Sequence, residues 1–214
     1  MANPNAPHGL QPVQNGDTSP YTGKSNLYHI PSSDTNAYYV GDVVLAANTG
    51  SDAQGVPDVI LSGAGARGTP VTAALPVGVI VGIQVAPIGV GVGQTQGNAV
   101  NLNLQFVPAT KLNDYYVWVA DDPGLVMEIQ YNNTGTLTPA TTVGYNLGYT
   151  PTLPTAPSPV SGTVGSGLGT ANTLPLKCLG LPYRPGTDFT ANTPLLVTWN
   201  THQYGKPSPG TTGV

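Results

Sequence analysis

Proline and glycine punctuate this chain from end to end, and that spacing limits its fold more than any motif does. There are 28 glycines and 22 prolines among the 214 residues. In a helix interior Gly costs about 1 kcal/mol and Pro about 3 kcal/mol relative to Ala. No window supports a long amphipathic helix. Helix-favouring residues are also scarce: Glu occurs once, at Glu128, and Met only at Met1 and Met127. The chain reads as strands and loops.

Charge is as sparse as helix propensity. Asp, Glu, Lys and Arg make up 7% of the residues, against about 25% in an ordinary soluble domain. With 39% hydrophobic residues and a net charge of −4, the chain lacks the low hydrophobicity and high charge of disordered sequences. Lys24, Arg67, Lys111, Lys177, Arg184 and Lys206 are dispersed singly, which argues against a nucleic-acid partner, because phosphate binding needs clustered cations. The most apolar stretch, residues 75–92, is interrupted by Pro76, Pro87 and glycines, and no membrane partner is expected. The first residues carry neither a basic nor an apolar signal region. Cys178 is the only cysteine; a buried, unreactive thiol is expected there.

The pattern predicts an N-terminal arm (residues 1–25), a single β domain (26–203) and a C-terminal tail (204–214). The arm, with Leu10 and Val13 as its sizeable apolar anchors, is too polar to fold alone and is expected to lie along another surface. Strands are predicted at 38–47, 56–61 (an edge strand, from its proline), 77–86 (apolar on both faces) and 100–107. In the last of these Val100, Leu102, Leu104 and Phe106 share one face. Residues 115–119 and 125–131 follow, joined by a tight Asp-Pro-Gly connection, then 142–149, 173–181 and 195–202. This spacing predicts an antiparallel sandwich or a jelly-roll-like barrel. The Pro-rich and then Gly/Ser-rich residues 149–173 read as a long low-complexity loop.

Chemical motifs fail on their surroundings. Gly63-Ala-Gly-Ala-Arg-Gly68 fits G-x-G-x-x-G, but Thr69-Pro70 follows where a helix must open, and no acidic residue lies between Asp58 and Asp114. His8, His29 and His202 are far apart, without zinc spacing. Asp121, Asp122 and Glu128 lack the regular oxygen donors of a calcium loop. No catalytic residue, metal or cofactor is predicted, and the chain is expected not to be an enzyme.

Three blocks carry a family resemblance. The opening MANPNAPHGLQPV is similar to the M-A-N-P…G-[LF]-x-P-V start of a family of tailed-bacteriophage structural proteins. YYVWVADDP at 115–123 with MEIQ at 127–130 resembles that family's Y-V-x-D-D-P-x-x-x-F-E-I-Q block. LKCLGL at 176–181, with Arg184-Pro185, Ala191-Asn192 and LVTWNTHQ at 196–203, resembles L-K-L-L-G-L…R-P…G-A-N…L-V-x-I-N-x-H-Q. The chain departs from the family in its Pro/Gly insertion after Tyr149 and in its low charge.

The resemblance implies a head decoration, or cement, protein, made in the host cytoplasm and located on the head exterior of the virion. Its implied partners are the major capsid protein and further copies of itself, as a trimer or a dimer. On this reading Pro4, Leu10, Pro12, Val13, Tyr115, Tyr116, Trp118 and Tyr204 are candidate capsid or subunit contacts, because arms and low-charge aromatic faces suit protein interfaces. The alternative is a tail- or fibre-associated adhesin, a β-sandwich that binds a host glycan through an exposed aromatic groove. A small β-jelly-roll enzyme is a third reading, and would require clustered His and carboxylates in one cavity.

Overall fold

The computed structural model describes residues 3–63, 67–84, 105–132, 137–154, 159–207 and 209–213. Its strands are β1 (Gln11–Gln14), β2 (Asn26–Ile30), β3 (Tyr38–Tyr39), β4 (Val43–Ser51), β5 (Pro57–Leu61), β6 (Pro76–Ile83), β7 (Phe106–Val107), β8 (Tyr115–Ala120), β9 (Val126–Gln130), β10 (Asn146–Thr150), β11 (Val164–Gly169), β12 (Leu176–Gly180) and β13 (Pro194–Trp199). One 3-10 turn, Pro139–Thr141, is the only helical element among the described residues. The protein is all-β, as its composition predicts.

Besides the two-stranded pairing of β3 with β7, the strands form two units that pack on each other. A closed barrel runs β2-β5-β4-β6-β8, and a six-stranded antiparallel sheet runs β1-β9-β13-β12-β10-β11. Tyr28, Ile30, Val44, Val59, Leu61, Ile80, Val117 and Val119 fill the barrel. Their chain neighbours Val43, Val79 and Ala120 point the other way, into a second core with Met127, Leu147, Tyr149, Leu176, Cys178, Val197 and Trp199. Successive strand residues face opposite sides, so one strand feeds two cores. This is why β6 is apolar on both faces. The Asp121–Gly124 connection carries the chain from the barrel strand β8 to the sheet strand β9, turning through a Leu125 N–H bond to the Asp122 carbonyl of 3.2 Å.

Three expectations require correction. The arm does not await another surface. β1 pairs with β9 of its own sheet, Gln11 opposite Glu128 and Pro12 opposite Met127, and Leu10 is buried in the sheet core. Gly9 and Gly41 cross there so closely, both at positive φ, that a Cβ on Gly9 would lie 2.5 Å from the Gly41 carbonyl oxygen. The C-terminal tail likewise packs on its own chain, with the Gly213 N–H bonding the Thr170 carbonyl at 3.1 Å.

The second correction concerns the loop at 149–173, which is not loop throughout. Its Gly/Ser-rich half forms β11 and pairs with β10, Thr150 opposite Val164 and Tyr149 opposite Gly165. Glycine reads as flexibility in sequence, but here it permits close approach. A Cβ on Gly165 would lie 2.9 Å from Leu147 Cδ1. Tyr131, just past β9, also bridges Gly165, which brings the β11 edge of the sheet back toward β9.

Third, β5 is not an edge strand. It lies between β2 and β4 in the closed barrel, with Pro57 at its first position, where a missing N–H is tolerated. The strand expected over 100–107 lies outside the described residues up to 104. At its end Phe106 is exposed and stacks on Tyr39 with centroids 5.3 Å apart, while Val107 is the buried one.

Candidate interaction surface

The eight residues expected to make contacts do not form one patch. Leu10 and Tyr116 are withdrawn into the fold. Tyr116 donates its hydroxyl proton to Asp52 at 2.7 Å. Pro12 and Val13 are half-buried on β1, Tyr115 is half-buried on the barrel, and Pro4 is exposed. Trp118 is exposed on β8, with its indole N–H bonded to Gln84 at 3.0 Å. Tyr204 is exposed in the tail, its hydroxyl 3.4 Å from that of Tyr28.

The ionisable groups are drawn into internal networks. Buried Asp42 receives Arg67 at 2.6 and 3.2 Å, the Ser161 hydroxyl at 2.6 Å and the Tyr39 N–H at 2.9 Å. Together these tie the residue-161 segment to the barrel. Lys111 bonds the carbonyls of Asp34 and Asn36 at 2.6 and 2.7 Å; burial lowers its ammonium pKa, and Asp34 partly offsets that. His29 lies between Asp58 and Asp114, with Thr49 on the far oxygen of Asp58 at 2.6 Å. Asp121, Asp122 and Glu128 are split among separate networks. Asp121 accepts from Asn26 and Tyr28, Asp122 caps its own turn through the Gly124 N–H, and Glu128 takes Arg184 at 2.6 and 3.0 Å.

Each histidine belongs to its own network. The His8 imidazole, 3.7 Å from Glu128, and the Arg184 guanidinium hold that carboxyl below the usual carboxylate range, against the burial that raises it. Burial pushes His202 down to about 4 and the Cys178 thiol up to about 11. Among the described residues no group of three His, Cys, Asp or Glu is placed to hold a metal ion.

The open surface lies on the outer face of the six-stranded sheet. Along β12 and β13 the inward residues are Leu176, Cys178, Leu195, Val197 and Trp199. The outward positions of such strands are normally polar, yet they include Leu179, which is exposed, and Leu196. With Val143, Tyr183 and Phe189 these two line a groove of about 640 Å³. Tyr183 stands fully in solvent. Arg184 lines this groove and also an adjoining cavity of about 260 Å³ beneath arm residues Asn3, Pro4, Ala6 and His8.

The contact residues expected from the sequence lie on the arm, on β8 and at Tyr204 in the tail, and none of them lines this groove. The signal was present in Leu176-Lys-Cys-Leu179, where the alternation puts Lys177 and Leu179 on the same outward side. No protein-family model matches this chain, and no curated protein and no solved structure matches it.

Proposed function

We propose that this chain is a virion structural protein that decorates the outside of an icosahedral phage head and cements it by bridging major capsid protein subunits. The three ordered blocks of resemblance support this reading, and they fall on informative elements. One is the arm that supplies Leu10 and β1. Another is the β8–β9 crossing between the two cores, and the third covers β12 and β13 with the loop between them.

The observation that carries the reading is the contrast between ionisable groups paired within the molecule and an apolar groove on the outer sheet face. Glu128, Asp42, Asp34 and His29 are engaged inside the molecule, while Leu179, Val143 and Tyr183 remain uncovered at one groove. Exposed apolar clusters of this kind mark contact surfaces. Such a protein works mechanically: rigid β units add contact area across subunit boundaries. Symmetric sites on a shell favour a homo-oligomer.

The test is co-sedimentation of the purified chain with heads that lack it. Saturable binding that a Leu179→Asp substitution weakens by about tenfold or more agrees with the reading. If the intact chain shows no saturable binding to heads, the reading is overturned.

A further inference from the structure

The Lys111 side chain has no solvent-exposed surface. It leaves the connection between β7 and β8 and reaches the connection between β2 and β3. There its Nζ bonds the main-chain carbonyls of Asp34 and Asn36 at 2.6 and 2.7 Å and lies 3.3 Å from Asp34 Oδ1. The Tyr38 ring lies alongside, its centroid 5.5 Å from Nζ. The Asp34 side chain is itself only 10% exposed. A primary amine and a carboxyl are thus enclosed together.

The two oxygens of that carboxyl are held differently. Oδ2 accepts the Tyr38 hydroxyl proton at 2.8 Å and the Asn36 side-chain N–H at 3.4 Å. The Tyr38 hydroxyl oxygen accepts the Leu61 N–H at 3.1 Å, which leaves its own proton for Asp34. Oδ1 faces Nζ and accepts the Asn36 main-chain N–H at 2.6 Å. A nucleophile therefore meets one oxygen while two fixed donors hold the other, where charge develops when the carboxyl carbon is attacked. Burial lowers the Lys111 ammonium pKa, against an opposing effect of Asp34, and the neutral amine is the nucleophilic form.

We propose that Lys111 and Asp34 condense into an isopeptide bond that joins the two loops covalently. The ammonium passes one proton to Oδ1 across their contact. Its two remaining N–H groups stay on the carbonyls of Asp34 and Asn36, and the freed lone pair faces the carboxyl. The Nζ–Cγ bond forms, a second Nζ proton goes to Oδ1, and the Cγ–Oδ1 bond breaks to release water. Oδ2 remains as the amide oxygen, bonded by Tyr38. Nothing is oxidised or reduced, and no co-reactant is required.

The covalent ring runs from residue 34 to residue 111 and holds β4, β5 and β6 of the five-stranded barrel. Such a closure removes conformational freedom from the unfolded chain. It gives a covalent tie to a chain whose single cysteine cannot form an intrachain disulfide. The proposal goes beyond the cement reading and does not depend on it.

Intact-mass spectrometry of the full chain, kept folded at neutral pH and then denatured, reads the reaction directly. The expected mass is that of the sequence less one water, with a branched peptide after proteolysis that links Asp34 to Lys111. Lys111→Arg keeps the positive charge but lacks the primary amine, and should show no loss of water. Lys24→Arg, at the exposed Lys24–Asp122 pair, should lose water as the unsubstituted chain does. Full sequence mass in the unsubstituted chain after prolonged incubation overturns the proposal, and leaves Lys111 as an ammonium held by three acceptors. So does a loss of water that persists in Lys111→Arg, or that maps to any other pair of residues.

Discussion

His29 and Asp58 form the single registered residue pair between β2 and β5, and their side chains bond each other at 2.6 Å. This parallel contact closes a barrel whose other strand pairs are antiparallel. The pair is buried, and the ring also packs on Tyr116 with centroids 5.2 Å apart. Removing Asp58 leaves the buried His29 ring nitrogen and the Thr49 hydroxyl without their partner, and a buried polar group left unsatisfied costs about 1–3 kcal/mol. Asp58→Ala is therefore expected to lower stability by about 1–3 kcal/mol in urea unfolding, and to release the amides of β2 and β5 to hydrogen exchange first. Unchanged protection there would mean that β2 is held by β8 alone.

The arm is part of the sheet. Asn3 bonds the carbonyls of Asp188 and Ala191 at 2.9 and 3.2 Å, Gln130 accepts the Ala6 N–H at 2.8 Å, and Leu10 is 1% exposed. Leu10→Ala should cost about 2–5 kcal/mol, whereas Pro4→Ala at the surface should stay within about 0.5 kcal/mol. Thermal or urea unfolding of the two variants checks this. Equal, small effects would mean that the arm is not docked in solution.

Acid should weaken the fold in two stages. His202 has a folded value of about 4 against an ordinary 6.5. The unfolded chain therefore binds its proton more readily, and this contribution, full above 6.5, is lost as pH falls through about 4. Glu128 is held below its ordinary 4.5, so its contribution is present above that value and disappears at still lower pH. Urea midpoints measured from pH 7 downward should fall. His202→Phe should flatten the upper part of the decline and Glu128→Gln the lower part. A flat wild-type profile between pH 7 and 4 contradicts this.

Cys178 points into the sheet core with no exposed surface, and burial raises its thiol to about 11. Since the thiolate is the reactive form, a thiol reagent at pH 8 should label the native protein only as fast as it unfolds. Labelling that ignores added urea would show a separate route to the sulfur.

The sequence was legible along β12 and β13, and less so at 100–107, where Phe106 shares the apolar face in sequence but is exposed in the fold. Val197 and Trp199 on β13, and Leu176 and Cys178 on β12, announce an inward face, and the structure buries all four. It was misleading where composition stands in for geometry. Gly165 and its neighbours read as linker, yet β11 needs their small size beside Leu147. Tyr116 reads as a contact aromatic, yet it is buried and gives its hydroxyl proton to Asp52. The His29–Asp58 pair had no local signal, because its members are brought together only when β2 meets β5. The groove had a weak one, in the outward leucines at 179 and 196.

The central claim is a place on a phage head, and a cryo-EM map of the native particle tests it most directly. The account predicts a copy of this fold at each symmetry-related outer position, spanning neighbouring capsid subunits, with the β12–β13 outer face against one of them. Density for this fold confined to the tail or fibres, or absent from the particle, would contradict it.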